Sequence, residues 1–86
     1  MSLLSENVIP GNHGKIFSTN AKDLTSLLKI KKVILQLEGV KEVILNEDAF
    51  PREFIIHTSK LVSVESIENE VKKLGFHAIP KGLFEL

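Results

Sequence analysis

Two amphipathic stretches, each closed by a glycine and each set between short apolar runs, constrain this chain more than any other feature. In the first, Leu27, Ile30, Val33, Ile34 and Leu37 fall on one face when residues are placed at about 100° intervals. Asp23 stands where an N-cap belongs, the helix is expected to run about four turns to Glu38, and Gly39 supplies the stop. In the second, Ser63 opens the pattern, and Val64, Ile67, Val71 and Leu74 recur at helical spacing before Gly75. Glu65 and Glu68 sit near the positive end of that helix, and Lys72 and Lys73 near the negative end.

The segments around these helices read as strands: "KIFST" (15–19), "KEVILN" (41–46), "REFIIHT" (52–58) and "FHAI" (76–79). "EDAFP" (47–51) is turn material closing the middle two into a hairpin. The order is β-α-β-β-α-β, the split βαβ arrangement. Right-handed crossovers then place both helices on one face of a four-stranded antiparallel sheet. The expected class is α+β, ferredoxin-like. Residues 1–14, broken by Pro10, Gly11 and Gly14, are expected to form an irregular leader. Residues 15–80 form the domain and 81–86 a tail.

At 86 residues the chain is one domain with no cysteine, so neither disulfides nor thiolate metal ligation can support it. The 43% hydrophobic content must supply a core. Eleven basic residues balance eleven acidic ones, which leaves no global field to gather nucleic acid or an anionic membrane. No apolar run approaches the ~20 residues of a bilayer span. The first residues lack the charge and apolar run of a secretory signal. A cytoplasmic location is expected.

Between residues 15 and 79 the chain resembles the heavy-metal-associated domain of small copper chaperones, mercury-binding proteins and metal-pumping ATPases. The resemblance is carried by Ile30 and Ile34, by "EGV" (38–40), by "EVILN" (42–46) and by "LVSVESIENEVKKLGFHA" (61–78). It implies the ferredoxin-like fold. Such domains carry Gly-Met-Thr-Cys-x-x-Cys before the first helix. Counted back from Gly39, the two cysteines fall on Asp23 and Ser26, and Gly-Met-Thr falls on Asn20, Ala21 and Lys22. Every residue of the metal motif is replaced. Monovalent copper and mercury want thiolates, whereas a hard cation wants six or more oxygens. Asp23 and Ser26 offer neither set, so no tightly bound metal and no cofactor is expected. A helix-capping role for Asp23 suffices. The resemblance also puts Phe76 and His77 near this loop. The three histidines, His13, His57 and His77, lack the spacing of a zinc site.

No catalytic arrangement is legible. "HTS" (57–59) puts neighbours on opposite faces of a strand, and "PGNHG" (10–14) precedes a strand rather than a helix. The chain is not read as an enzyme. An RNA-binding domain of the same element order would need stacking aromatics at alternate positions. "IFSTNA" (16–21) is faintly similar to one signature of those domains. "REFIIHT" offers only Phe54, and the chain has no tyrosine or tryptophan.

Surplus apolar surface is more informative. Leu24, Leu28 and Leu35 lie well off the core face of the first helix. "FIIHT" does not alternate. With Ile55 placed toward the helices, Phe54 and Ile56 face outward. These five residues are the expected interface, covered either by the leader or tail or by a partner protein or second copy. The expected function is therefore a protein-interaction or self-association module. A copper or zinc carrier with a weak non-thiol site is the first alternative, and an RNA-binding domain the second.

Overall fold

The computed structural model describes residues 8–46, 48 and 52–85. Its elements in chain order are β1 (Val8–Ile9), β2 (His13–Thr19), α1 (Leu24–Leu35), β3 (Val40–Asn46), β4 (Glu53–Thr58), β5 (Val62–Ser63), α2 (Val64–Lys73) and β6 (Ala78–Glu85). The main sheet is antiparallel, with four strands in the order β3-β4-β2-β6. A small sheet pairs β1 with β5. The expected ferredoxin-like βαββαβ order is present, with this two-stranded addition. Most of the expected 47–51 turn lies outside the described residues.

One face of the sheet and the inner faces of both helices form the core. Phe17, Val43, Phe54 and Ile56 from the strands meet Leu27, Ile30 and Ile34 of α1 and Val64, Ile67 and Val71 of α2. Val33, Leu37 and Leu74 complete the expected helical stripes as partly buried neighbours. Phe17 and Phe54, opposite each other on β2 and β4, stack with ring centroids 5.3 Å apart. The first and last described segments are tied in as well. Ile9, within the expected leader, is fully buried. The Thr58 hydroxyl, also fully buried, donates to the Pro10 carbonyl at 2.6 Å. The same oxygen accepts the His13 N–H at 3.2 Å. The expected tail continues β6, where Phe84 lies across from Gly14 on β2. A Cβ at Gly14 would fall 2.4 Å from the Phe84 ring, so glycine is what lets that ring lie flat on the sheet.

Three sequence expectations are corrected. Phe54 and Ile56 do not face outward; both are fully buried. The inward set on β4 is Phe54, Ile56 and Thr58, and the outward set is Glu53, Ile55 and His57. Burying a phenylalanine against Phe17 outweighs burying an isoleucine, and the alternative would put Glu53 and His57 in the core. Helix α1 ends at Leu35 rather than Glu38, with Gln36 as its cap. The N–H of Leu37 bonds the Ile34 carbonyl at 3.0 Å, a tighter last turn that leads into Gly39 at φ +96°. Neither Asp23 nor Ser63 makes a side-chain cap bond, although both occupy N-cap positions with extended backbone.

Candidate functional site

The loop from β2 to α1 was the first place the sequence pointed to. Its geometry is self-contained. The Thr19 hydroxyl accepts the Ala21 N–H at 3.3 Å, and Ala21 is buried. The Asn20 side-chain oxygen accepts the His77 backbone N–H at 2.8 Å and so ties the loop to the segment before β6. Phe76 packs against the core, and the His77 side chain is exposed. Asp23 and Ser26 turn toward each other. Ser26 Oγ donates to Asp23 Oδ1 at 2.7 Å. That bond, first among its causes, holds the Asp23 carboxyl below its ordinary value of 3.8. The first helical turn therefore uses the aspartate on the serine rather than on its orphan amides. Among the described residues no group of three or more His, Asp or Glu converges as a metal site. His13, His57 and His77 stay apart. His13 Nδ1 lies 2.9 Å from the Gly11 carbonyl, and His57 Nδ1 lies 3.6 Å from Glu42 on β3.

Two solved structures share this arrangement of elements. One is the apo form of the HMA domain of a copper chaperone for superoxide dismutase, with a TM-score of 0.66 over 85% of this chain and 71% of that one, at 16% identity. The other is the copper(I)-loaded first domain of the human copper chaperone for SOD1, with a TM-score of 0.68 over 81% of this chain and 93% of that one, also at 16% identity. The chain shares the ferredoxin-like fold of these heavy-metal-associated domains. No protein-family model matches it, and neither does any curated protein. The chain thus shares the fold of these domains while having no cysteine, and its Asp23 and Ser26 are bonded to each other.

The surface of this heavy-metal-associated fold carries the second candidate. Leu24, Leu28 and Leu35 of α1 are 47%, 50% and 41% exposed, and neither the described part of the leader nor β6 covers them. On the sheet, Ile55, which the sequence reading placed toward the helices, lies on the outward face. Ile44 is 38% exposed and pairs in register with the half-buried Ile55. Phe84 shares this open face and meets the His57 ring edge-on at 6.0 Å. The flanking Glu53 and His57 could have revealed the parity of β4, because polar residues at alternate positions mark the wet face. Charge lines the edge of the patch through Glu42 beside His57 and through the Lys81–Glu53 pair at 3.4 Å. No helix is long and apolar enough to cross a membrane among the described residues.

Proposed function

We propose that this chain is a non-enzymatic protein-docking module that uses the heavy-metal-associated fold as a scaffold and carries no soft metal ion. The observation that carries the reading is the leucine line of α1, which no other described element covers. Three leucines stand in one row on a helix whose core-filling face lies about 100° away around the axis. Each would contribute roughly 1.5–3 kcal/mol on full burial, less given that each is already half covered. A partner protein or a second copy gains that energy; water does not. The absence of thiolates supports the second half of the proposal. A copper or mercury carrier needs ligands that bind and release a soft ion. The Asp23 carboxylate and the Ser26 hydroxyl are hard, and they are engaged with each other.

The test replaces Leu28 with a photo-crosslinking residue and irradiates the protein in extract of the cells that make it. A discrete adduct that disappears when Leu24→Glu is added supports docking through this line. A parallel titration with monovalent copper against a thiol competitor addresses the metal half. A one-to-one complex surviving the competitor would replace this reading with that of a metal carrier.

A further inference from the structure

The leucine line has a spacing and a charge of its own. Leu24, Leu28, Lys31 and Leu35 follow one another at steps of four, three and four residues, the spacing of a heptad seam. They lie within about 60° of one another around α1. Lys31 is half-buried within the seam, and the exposed Lys32 lies beside it on the side away from the core. Lys29 is also exposed, and α1 contains no acidic residue from Leu24 to Leu35. The chain as a whole is neutral, so the positive charge of this helix is a local property.

We infer that the seam receives a single amphipathic helix from another protein, with apolar residues at heptad spacing and acidic residues opposite Lys31 and Lys32. The inference rests on the reading of this line as a docking surface and names the occupant. Two observations set aside helix-to-helix pairing of two copies. In a two-fold pairing of α1 with itself, the lysines of both copies would share one interface with no acid on either helix. The carboxylates flanking α1 in sequence are engaged elsewhere: Asp23 with Ser26, and Glu38 with Lys60 at 3.5 Å. Pairing of α1 with α2 of another copy would match charge through Glu65, Glu68 and Glu70. But α2 exposes no large apolar side chain to meet the leucines. An anionic membrane is the weaker fit. The leucines are only half exposed, and no aromatic residue stands beside them on α1 to anchor it at a lipid interface. A heptad seam matches the knobs of one facing helix, and a lysine within it sets the register by demanding an acid there.

The test uses the full chain and two synthetic helical peptides with the same leucine seam, one flanked by glutamates and the other by lysines. Vesicles of phosphatidylcholine and phosphatidylserine form a third arm. The expected result at low salt is roughly tenfold tighter binding of the glutamate peptide, the difference two exposed ion pairs can make. Lys31→Glu with Lys32→Glu should reverse the preference, and Leu28→Gln should weaken both peptides. Circular dichroism checks that each variant keeps its helices. If Leu28→Gln loses them, the charge-reversal variant decides alone, because it removes no core side chain. Equal binding of the two peptides, lost in Leu28→Gln, overturns the acidic occupant while docking on the line survives. So does a dimer, or an open head-to-tail chain in light scattering, that Leu28→Gln dissolves. Vesicle binding without peptide binding, together with no protein adduct at position 28, overturns both.

Discussion

Ser26 donates its hydroxyl to the carboxylate of Asp23 at 2.7 Å, across the two positions where the sequence resemblance would put cysteines. The bond stabilises the charged form of Asp23 and lowers its pKa below 3.8. A depressed carboxylate adds stability above its unfolded-state pKa and loses it as pH falls through the folded value. The effect is therefore confined to acid pH, below about 4, and it is small because Asp23 is exposed. Ser26→Ala should raise the Asp23 pKa toward its ordinary value with the fold unchanged. Carbon-detected NMR titration of the Asp23 carboxyl measures this. An unmoved pKa in Ser26→Ala would show that the hydrogen bond is not what holds it down.

The stacked pair Phe17 and Phe54 makes a sharper claim about β4. Phe54→Ala removes a fully buried ring and should cost about 3–5 kcal/mol. Ile55→Ala, one residue along but on the open face, should cost about 1 kcal/mol or less. Urea unfolding of the two variants measures both. Equal losses would contradict the inward parity of Phe54, Ile56 and Thr58.

That parity shows where sequence reading stopped. The helices were legible because their apolar residues recur at helical spacing and their faces are set by lysines and glutamates. Leu27, Ile30, Ile34, Ile67 and Val71 are all buried as the periodicity required. "FII" contains no polar residue to fix a face, and only the neighbours Glu53 and His57 do so. The chain ends were illegible for a different reason. Val8–Ile9 and residues 81–85 gain their structure from long-range partners, Val62–Ser63 and His13–Lys15, that no local pattern announces. At the loop, the sequence located Asp23 and Ser26 but gave the carboxylate to the backbone. A hydroxyl three residues on competes for the same oxygen, and here it prevails.

Thr58 carries the attachment of the first turn. Its buried hydroxyl joins the Pro10 carbonyl and the His13 N–H, so Thr58→Val leaves both groups without their partner. The expected cost is about 1–3 kcal/mol. Amide exchange at His13 should accelerate more than exchange at Phe17, because β2 remains paired there on both sides. Uniform acceleration along β2 would argue that Thr58 supports the whole sheet rather than this turn.

Two glycines with positive φ separate strain from crowding. Gly39 at φ +96° and Gly75 at φ +90° both disfavour a side chain, by about 1–2 kcal/mol each. A Cβ at Gly39 would also stand 2.8 Å from Val62 Cγ2, whereas one at Gly75 meets nothing within 4 Å. Gly39→Ala should therefore be the more destabilising of the two in thermal melts. A larger loss at Gly75 would mean that crowding against Val62 is relieved at no cost.

The last prediction supplies the thiols that the loop lacks. The side chains at 23 and 26 already converge, within 2.7 Å between their oxygens, on a scaffold whose backbone is tied down by Thr19, Asn20 and His77. Asp23→Cys with Ser26→Cys would place two thiols there. Thiolates are the ligands that monovalent copper prefers, and two suffice for it. The double variant should bind one copper(I) per chain in competition with a thiol chelator, whereas the parent should bind none. Neither position is buried, so the fold should survive the exchange. Copper stoichiometry after dialysis, read beside circular dichroism, decides the matter. A folded double variant that holds no copper would place the barrier to metal binding in the backbone of the loop, beyond its two side chains. Copper held equally by the parent would show that the oxygens of Asp23 and Ser26 are not the barrier that their hardness implies.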